Sequence, residues 1–149
     1  MKNKVLLISS PGGHFVQLSL LAEMLDEYDV IVAGTYDKKP SFIVADRYYK
    51  VDDFSRDDAY KSVKVLFQCL KLLRKEKPKL VITTGAAPGL VMLFLSKFLG
   101  IKSIWIDSVA NSQTLSLSGK IAKKLGVQVL SQWEKVAEKC DVNYYGRLI

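Results

Sequence analysis

Histidine is nearly missing from this chain: His14 is the single imidazole in 149 residues, and the only thiols are Cys69 and Cys140. One histidine and two widely separated cysteines cannot supply the ligand spacing of a structural zinc site, so no metal is expected. Two thiols also make no disulfide framework, and such cysteine usage suits a reducing cytoplasm. Long apolar runs are lacking. The uncharged stretch 80–96 is seventeen residues long and is interrupted by Gly85, Pro88 and Gly89, whereas a membrane-spanning helix needs about 20. No signal peptide is visible, because the apolar run 5–8 breaks at once into Ser9-Ser10-Pro11-Gly12-Gly13. Repeats and low-complexity segments are absent too.

What is present is the composition of one globular domain, expected over residues 1–149. Hydrophobic residues make up 49% and charged residues 25%, which excludes disorder. A chain of this size buries roughly 68–70% of its unfolded surface and needs no staple to fold. Charge is one-sided, at +7 net. Between residues 61 and 79, Lys61, Lys64, Lys71, Arg74, Lys75, Lys77 and Lys79 face only Glu76, so this stretch carries +6 and the remainder is close to neutral. A local basic patch points to an anionic partner: nucleic acid, a phosphate-bearing substrate or an acidic membrane surface.

Periodicity predicts strands at residues 4–8, 29–33, 48–51, 80–83, 103–107 and 127–130. Helices are predicted at 14–28, 59–77, 89–99 and 117–125, with a turn or two at 132–139 and an extended piece at 142–145. Strands that alternate with helices, each a continuous apolar run, indicate an α/β fold: a Rossmann-like parallel sheet with helices on both faces. In such sheets ligands bind beyond the carboxyl ends of the strands, so the loops there are the ones to read.

The first loop ends in Gly12-Gly13-His14. Glycines let the backbone approach an anion, and the following helix start offers free N–H groups. His14 at its mouth is a candidate general base, since imidazole titrates near neutrality; the alternative is a tight turn whose histidine only caps or packs. The loop is neither a dinucleotide fingerprint nor a Walker loop, lacking G-x-G-x-x-G and G-K-[ST], so no cofactor is expected. The second loop, Thr83-Thr84-Gly85-Ala86-Ala87-Pro88-Gly89, repeats the device and is either a phosphate cradle or an ordinary strand-to-helix turn. A third polar segment holds Asp107, Ser108 and Asn111 and continues to Lys120. It suits a polar ligand, or is simply a solvated serine-rich loop.

On helix 59–77, Lys61, Lys64, Gln68, Lys71 and Lys75 form one stripe beside a wide apolar side. That suits a membrane interface as well as a core-packed helix with a solvated face. The neighbouring segment 90–99 is apolar on nearly all sides, which favours membrane contact through Lys61, Lys64, Lys71, Arg74 and Lys75. The basic stripe carries no interleaved exposed aromatics and no known nucleic-acid motif is present, so nucleic acid is the less favoured anion.

Together the segments SSPGGHFVQLSLL at 9–21, TTGAAPGL at 83–90, IDSVANSQTLSLSGKI at 106–121, QWEK at 132–135 and YYGRLI at 144–149 carry a resemblance. The chain resembles the membrane-recruiting subunit of the two-chain UDP-N-acetylglucosamine transferase of lipid-linked oligosaccharide synthesis, in its bacterial polysaccharide-biosynthesis version. It is also similar to the N-terminal half of the transferase that adds N-acetylglucosamine in peptidoglycan lipid synthesis. The resemblance implies one half of a GT-B glycosyltransferase, without metal or cofactor of its own. A separate donor-binding subunit would carry most of the UDP-sugar site. This half would bind a polyprenyl-diphosphate-linked sugar acceptor and the cytoplasmic face of the plasma membrane, peripherally. On that reading Gly12, Gly13 and His14 face the acceptor; Gly85, Pro88 and Gly89 line the same cleft; and Tyr144, Tyr145, Arg147, Leu148 and Ile149 dock the partner. The eukaryotic subunit has an N-terminal transmembrane anchor, whereas here Met1 runs almost directly into the first strand. Attachment through the basic and apolar helices is therefore the expected route. Two rival readings remain: a non-catalytic activator or tether of the transferase, and a stand-alone nucleotide-binding domain of the same fold.

Overall fold

The computed structural model describes residues 2–85 and 87–148. Six parallel strands form one sheet: β1 (Lys4–Ser9), β2 (Asp29–Gly34), β3 (Arg47–Lys50), β4 (Leu80–Gly85), β5 (Lys102–Ile106) and β6 (Gln128–Leu130), in the order β3-β2-β1-β4-β5-β6. Among the described residues four α-helices lie between strands, α1 (Gly13–Ala22), α2 (Ser62–Glu76), α3 (Ala87–Phe98) and α4 (Leu117–Lys124), and α5 (Glu134–Cys140) follows β6. The α/β Rossmann-like expectation holds.

Alternation along the strands builds two cores. Leu6 and Ile8 of β1 point one way, with Ile31, Val81, Trp105 and Val129, and meet Val65 and Cys69 of α2, Met92 and Leu93 of α3, Ala122 of α4 and Val136 of α5. Val5 and Leu7 point the other way, with Val32, Ile82 and Ile106, and meet Phe15, Leu18 and Leu21 of α1 and Ile43 of the β2–β3 connection. Each fully buried Leu, Ile or Phe contributes roughly 1.5–3 kcal/mol, and both faces are filled this way. Four helices thus share one face, and α1 takes the other.

Several boundaries differ from the sequence expectation. The first helix stops at Ala22, not 28, because Glu23, Asp26 and Glu27 would place negative charge at a helix C-terminus; residues 23–28 instead turn back through short-range bonds such as Met24 N–H to the Leu21 carbonyl, 3.0 Å. The long helix 59–77 is split. A 3-10 segment, Arg56–Lys61, kinks at Asp58, and the α-helix proper begins at Ser62. It ends where Lys77 turns left-handed before Pro78. The extended piece 142–145 reduces to a bridge between Asn143 and Leu130.

Candidate functional site

The chain order of the sheet reverses between β1 and β4, and the loops leaving these two strands diverge there. Gly12 stands before α1 with φ 83°, a left-handed value that glycine adopts without strain. Its carbonyl accepts the Phe15 and Val16 N–H groups, which fixes the helix start. The N–H groups of Gly13 and His14 have no acceptor among the described residues and face outward at the positive end of α1.

His14 is held from the other side of the switch point. The register of β1 against β4 shifts between Ile8, opposite Thr83, and Ser9, opposite Gly85, so Thr84 is the extra residue of a bulge. The bulge turns Thr84 toward α1. His14 Nδ1 lies 3.1 Å from the Thr84 carbonyl, and the Thr84 hydroxyl donates back to the His14 carbonyl. A carbonyl only accepts, so Nδ1 is the donor of this pair, and of the two neutral tautomers the contact selects the one whose Nε2 is unprotonated. That is the tautomer a general base requires. Gly85 makes the approach possible. Its φ is 143°, and a Cβ there would lie 2.6 Å from His14 Nδ1.

Three further groups edge the cleft. Tyr36, packed edge-on to Phe15 at 5.1 Å, accepts the Gly12 N–H on its hydroxyl at 3.3 Å. Tyr48 donates to the Tyr36 carbonyl at 2.7 Å, and burial pushes its phenol up to about 12. The Ser10 hydroxyl reaches toward Asp53 Oδ1 at 3.4 Å. Sequence reasoning missed Tyr36, Asp53 and the bonding role of Thr84. All three act through contacts between distant loops.

Other expected site residues do not meet the cleft as polar contacts. Pro88 and Gly89 are buried; Pro88 has no N–H, and Gly89 lets α3 lie directly on the Thr83 side chain, so both serve packing. Asp107 is buried and fully engaged. It accepts from Trp105 Nε1 (2.9 Å), Asn111 Nδ2 (3.2 Å), Ser116 N–H (2.9 Å) and the Ser116 hydroxyl (2.6 Å). Ser108 receives Gln17 Nε2 at 3.2 Å. These residues tie β5, α1 and α4 together rather than wait for a ligand. Gln17 is the centre of that knot, with its Oε1 accepting from Val109 N–H and from Gln132 Nε2 at 2.6 Å. Its signal in the sequence was an amide on the inward side of a helix, which demands partners.

The basic stripe is partly neutralised. Lys61 pairs with Asp58 at 3.1 Å and Lys64 with Asp52 at 2.8 Å. Lys75 lies over the Tyr49 ring at 5.1 Å. Lys71 and Arg74 have no carboxylate partner among the described residues. Exposed apolar side chains stand beside the stripe, Val63 and Phe67 on α2 and Phe94 and Phe98 on α3, the last 82% exposed. The expectation that no exposed aromatic interleaves the stripe is thereby corrected, since Phe67 projects between Lys64 and Lys71. No helix among the described residues is long and apolar enough to cross a membrane.

The C-terminal residues divide. Leu148 donates its N–H to Gln132 Oε1 at 2.8 Å and packs on the α1-side core, and Arg147 lies over Trp133 at 5.0 Å. These two are held by their own chain. Tyr144 and Tyr145 are exposed. Ile149 lies outside the described residues.

A profile of the family described as "Oligosaccharide biosynthesis protein Alg14 like" matches residues 31–148. That match begins beyond the Gly12–His14 loop. A "UDP-N-acetylglucosamine transferase subunit ALG14" from Candida albicans is 35% identical over 91 residues, covering 56% of this chain and 41% of that protein. A "UDP-N-acetylglucosamine--N-acetylmuramyl-(pentapeptide) pyrophosphoryl-undecaprenol N-acetylglucosamine transferase" from Crocosphaera subtropica is 27% identical over 119 residues, covering 72% of this chain and 34% of that protein. Among solved structures, Acinetobacter baumannii MurG superposes with a TM-score of 0.69 at 15% identity, over 87% of this chain and 41% of that one; that likeness concerns the fold. The chain thus spans well under half the length of these relatives.

Proposed function

The chain belongs to the Alg14-like family of oligosaccharide biosynthesis proteins, and from that premise we propose that it is the acceptor-side, membrane-recruiting subunit of a two-chain glycosyltransferase. A second chain would hold the UDP-sugar, and this one a polyprenyl-diphosphate-linked sugar on the cytoplasmic face of the membrane. The finer assignment, to a bacterial polysaccharide, is part of the same proposal. It is motivated by the likeness to the Crocosphaera enzyme, whose printed activity is on an undecaprenol-linked sugar.

The observation that carries the reading is the His14–Thr84 contact at the strand switch point. It leaves Nε2 as the ring nitrogen available to act as a base, at the same helix start as the unpartnered N–H groups of Gly13 and His14. An acceptor hydroxyl placed at Nε2 would lose its proton as it attacks the sugar carbon, with the diphosphate of the acceptor held by the N–H groups. The reaction would be a direct displacement with inversion: as the acceptor oxygen bonds to the anomeric carbon, that carbon's bond to the UDP oxygen breaks and UDP departs into the second chain's site. The Tyr36 hydroxyl already accepts from Gly12, so its own proton remains free for a ligand oxygen.

The test is co-expression with the neighbouring reading frame and transfer assays on the complex. The single chain should turn over no UDP-sugar, and His14→Ala in the complex should lower turnover by about 10²–10⁴-fold, the usual worth of a positioned base, with the melting temperature unchanged. Full activity of His14→Ala would make the chain an activator or tether, and robust transfer by the chain alone would refute the two-chain reading.

A further inference from the structure

Helices α4 and α5 flank a cavity of about 490 Å³, which is within the usual range of small-molecule sites. It shares no residue with the His14 cleft. Leu115, Leu117, Ile121 and the Cys140 thiol form its floor; Lys120, Lys123 and Lys124 stand at its rim. We propose that this cavity holds one anionic phospholipid of the membrane leaflet, with the acyl chain on the aliphatic floor and the phosphate at the lysine rim. The proposal rests on the membrane-facing reading above and gives it a defined lipid site.

Charge complementarity argues for the headgroup. No carboxylate lines the cavity. Lys123 is committed to the C-terminal end of α5, its Nζ donating to the Cys140 carbonyl at 2.6 Å. Lys120 and Lys124 form no ion pair among the described residues, which leaves two cations for a phosphate while their stems extend the apolar wall. The floor argues for the chain. Leu117 and Ile121 are exposed although they are large and aliphatic. The lining also argues against other anions. It has no amide or carboxylate to recognise sugar or ribose hydroxyls, and no aromatic ring on which a base would stack. Continuity places the opening correctly, since α4 packs against α3, whose Phe94 and Phe98 project from the proposed membrane flank.

Cys140 supplies the reporter. It lines the cavity, and the Leu115 N–H directed at its sulfur holds the thiol below its ordinary range. Cys69 is fully buried, and burial pushes its thiol up to about 12, so it stays silent. Labelling of Cys140 by N-ethylmaleimide is followed by mass spectrometry, with and without dihexanoyl phosphatidylglycerol below its micelle concentration. With lipid at about four times its Kd, labelling should slow about fivefold. In Lys120→Glu/Lys124→Glu, with unchanged circular dichroism, the ratio of rates with and without lipid should return to one. No slowing overturns the proposal, as does equal slowing by the phosphatidylcholine analogue or by inorganic phosphate alone. Because the lipid is soluble, the outcome is separate from vesicle binding. Vesicle binding without Cys140 protection sinks the cavity assignment alone. Protection without vesicle binding sinks the membrane reading and leaves the cavity a lipid site.

Discussion

Gly85 and His14 are a matched pair, and neither can be understood from its own loop. A side chain at 85 needs a left-handed backbone and collides with the imidazole. Gly85→Ala should therefore destabilise the fold by about 1–3 kcal/mol, as strained positions do, and should also displace His14. Urea midpoints and turnover of the complex measure the two effects, and a fall in activity without displacement of His14 in the variant's structure would contradict the account. A second residue, Glu76, locks the far end of the sheet. It is buried, yet the Arg47 and Tyr49 hydrogen bonds, with the charges of Arg47 and Lys4, outweigh that burial and hold its carboxyl at about 2. Since the folded value lies below the unfolded one near 4.3, the stability it contributes is full above pH 5 and fades as pH falls toward 2. Glu76→Gln should cost about 3 kcal/mol at pH 7, in the range for breaking a buried pair, and the gap to wild type should narrow to about half at pH 3 and close only below pH 2. Urea titrations at several pH values read this directly, and a constant gap would argue against the ion-pair origin. The glycine loops and His14 were legible in the sequence because they are local motifs at strand ends. Thr84, Tyr36 and the Gln17–Gln132 knot were not, because their partners lie 24 to 115 residues away and a single sequence does not state which distant side chains meet.

At the scale of elements, strand identity was easiest to read, since each buried strand is a continuous apolar run. Helix ends were harder. Acidic residues 23–27 and the kink at Asp58 follow from charge and capping, which periodicity ignores. The basic stripe was visible, but not that Val63 and Phe67 stay outside the core while Val65, Cys69, Leu72 and Leu73 fill it. On this basis Phe67→Glu/Phe98→Glu should abolish co-sedimentation with anionic vesicles without lowering the melting temperature. Lys71→Glu/Arg74→Glu should weaken it and make the residue salt-insensitive, because screening acts on exposed charges. Binding that survives both pairs would remove this flank from the membrane. The C-terminal segment behaves as two parts. Leu148→Ala should lower stability by about 1–2 kcal/mol, through lost apolar burial, and Tyr145→Ala should leave stability intact yet weaken capture of the donor-binding chain. Thermal melts and co-purification separate the two, and the reverse pattern would make Leu148 the docking residue.

At the scale of the whole molecule, the alternation of strands and helices pointed to a doubly wound parallel sheet with its loops at the strand ends, whereas the order 3-2-1-4-5-6 came from the structure, since alternation alone is shared by other strand orders. What no periodicity reveals is the unequal dressing of the sheet, four helices on one side and α1 on the other. The same topology sets the order in which the protein can be made. Strand β1 is central, and its second neighbour, β4, begins 76 residues further along, with Val5 opposite Leu80. As the chain leaves the ribosome, β1 can find β2 early but must hold an unpaired edge until β4 has emerged. Closing so long a loop is entropically slow compared with the local βαβ steps. The His14–Thr84 contact spans the same gap, so the candidate site assembles only after that closure, and a chain stalled in translation before residue 80 carries the glycine loop and the histidine without their Thr84 partner.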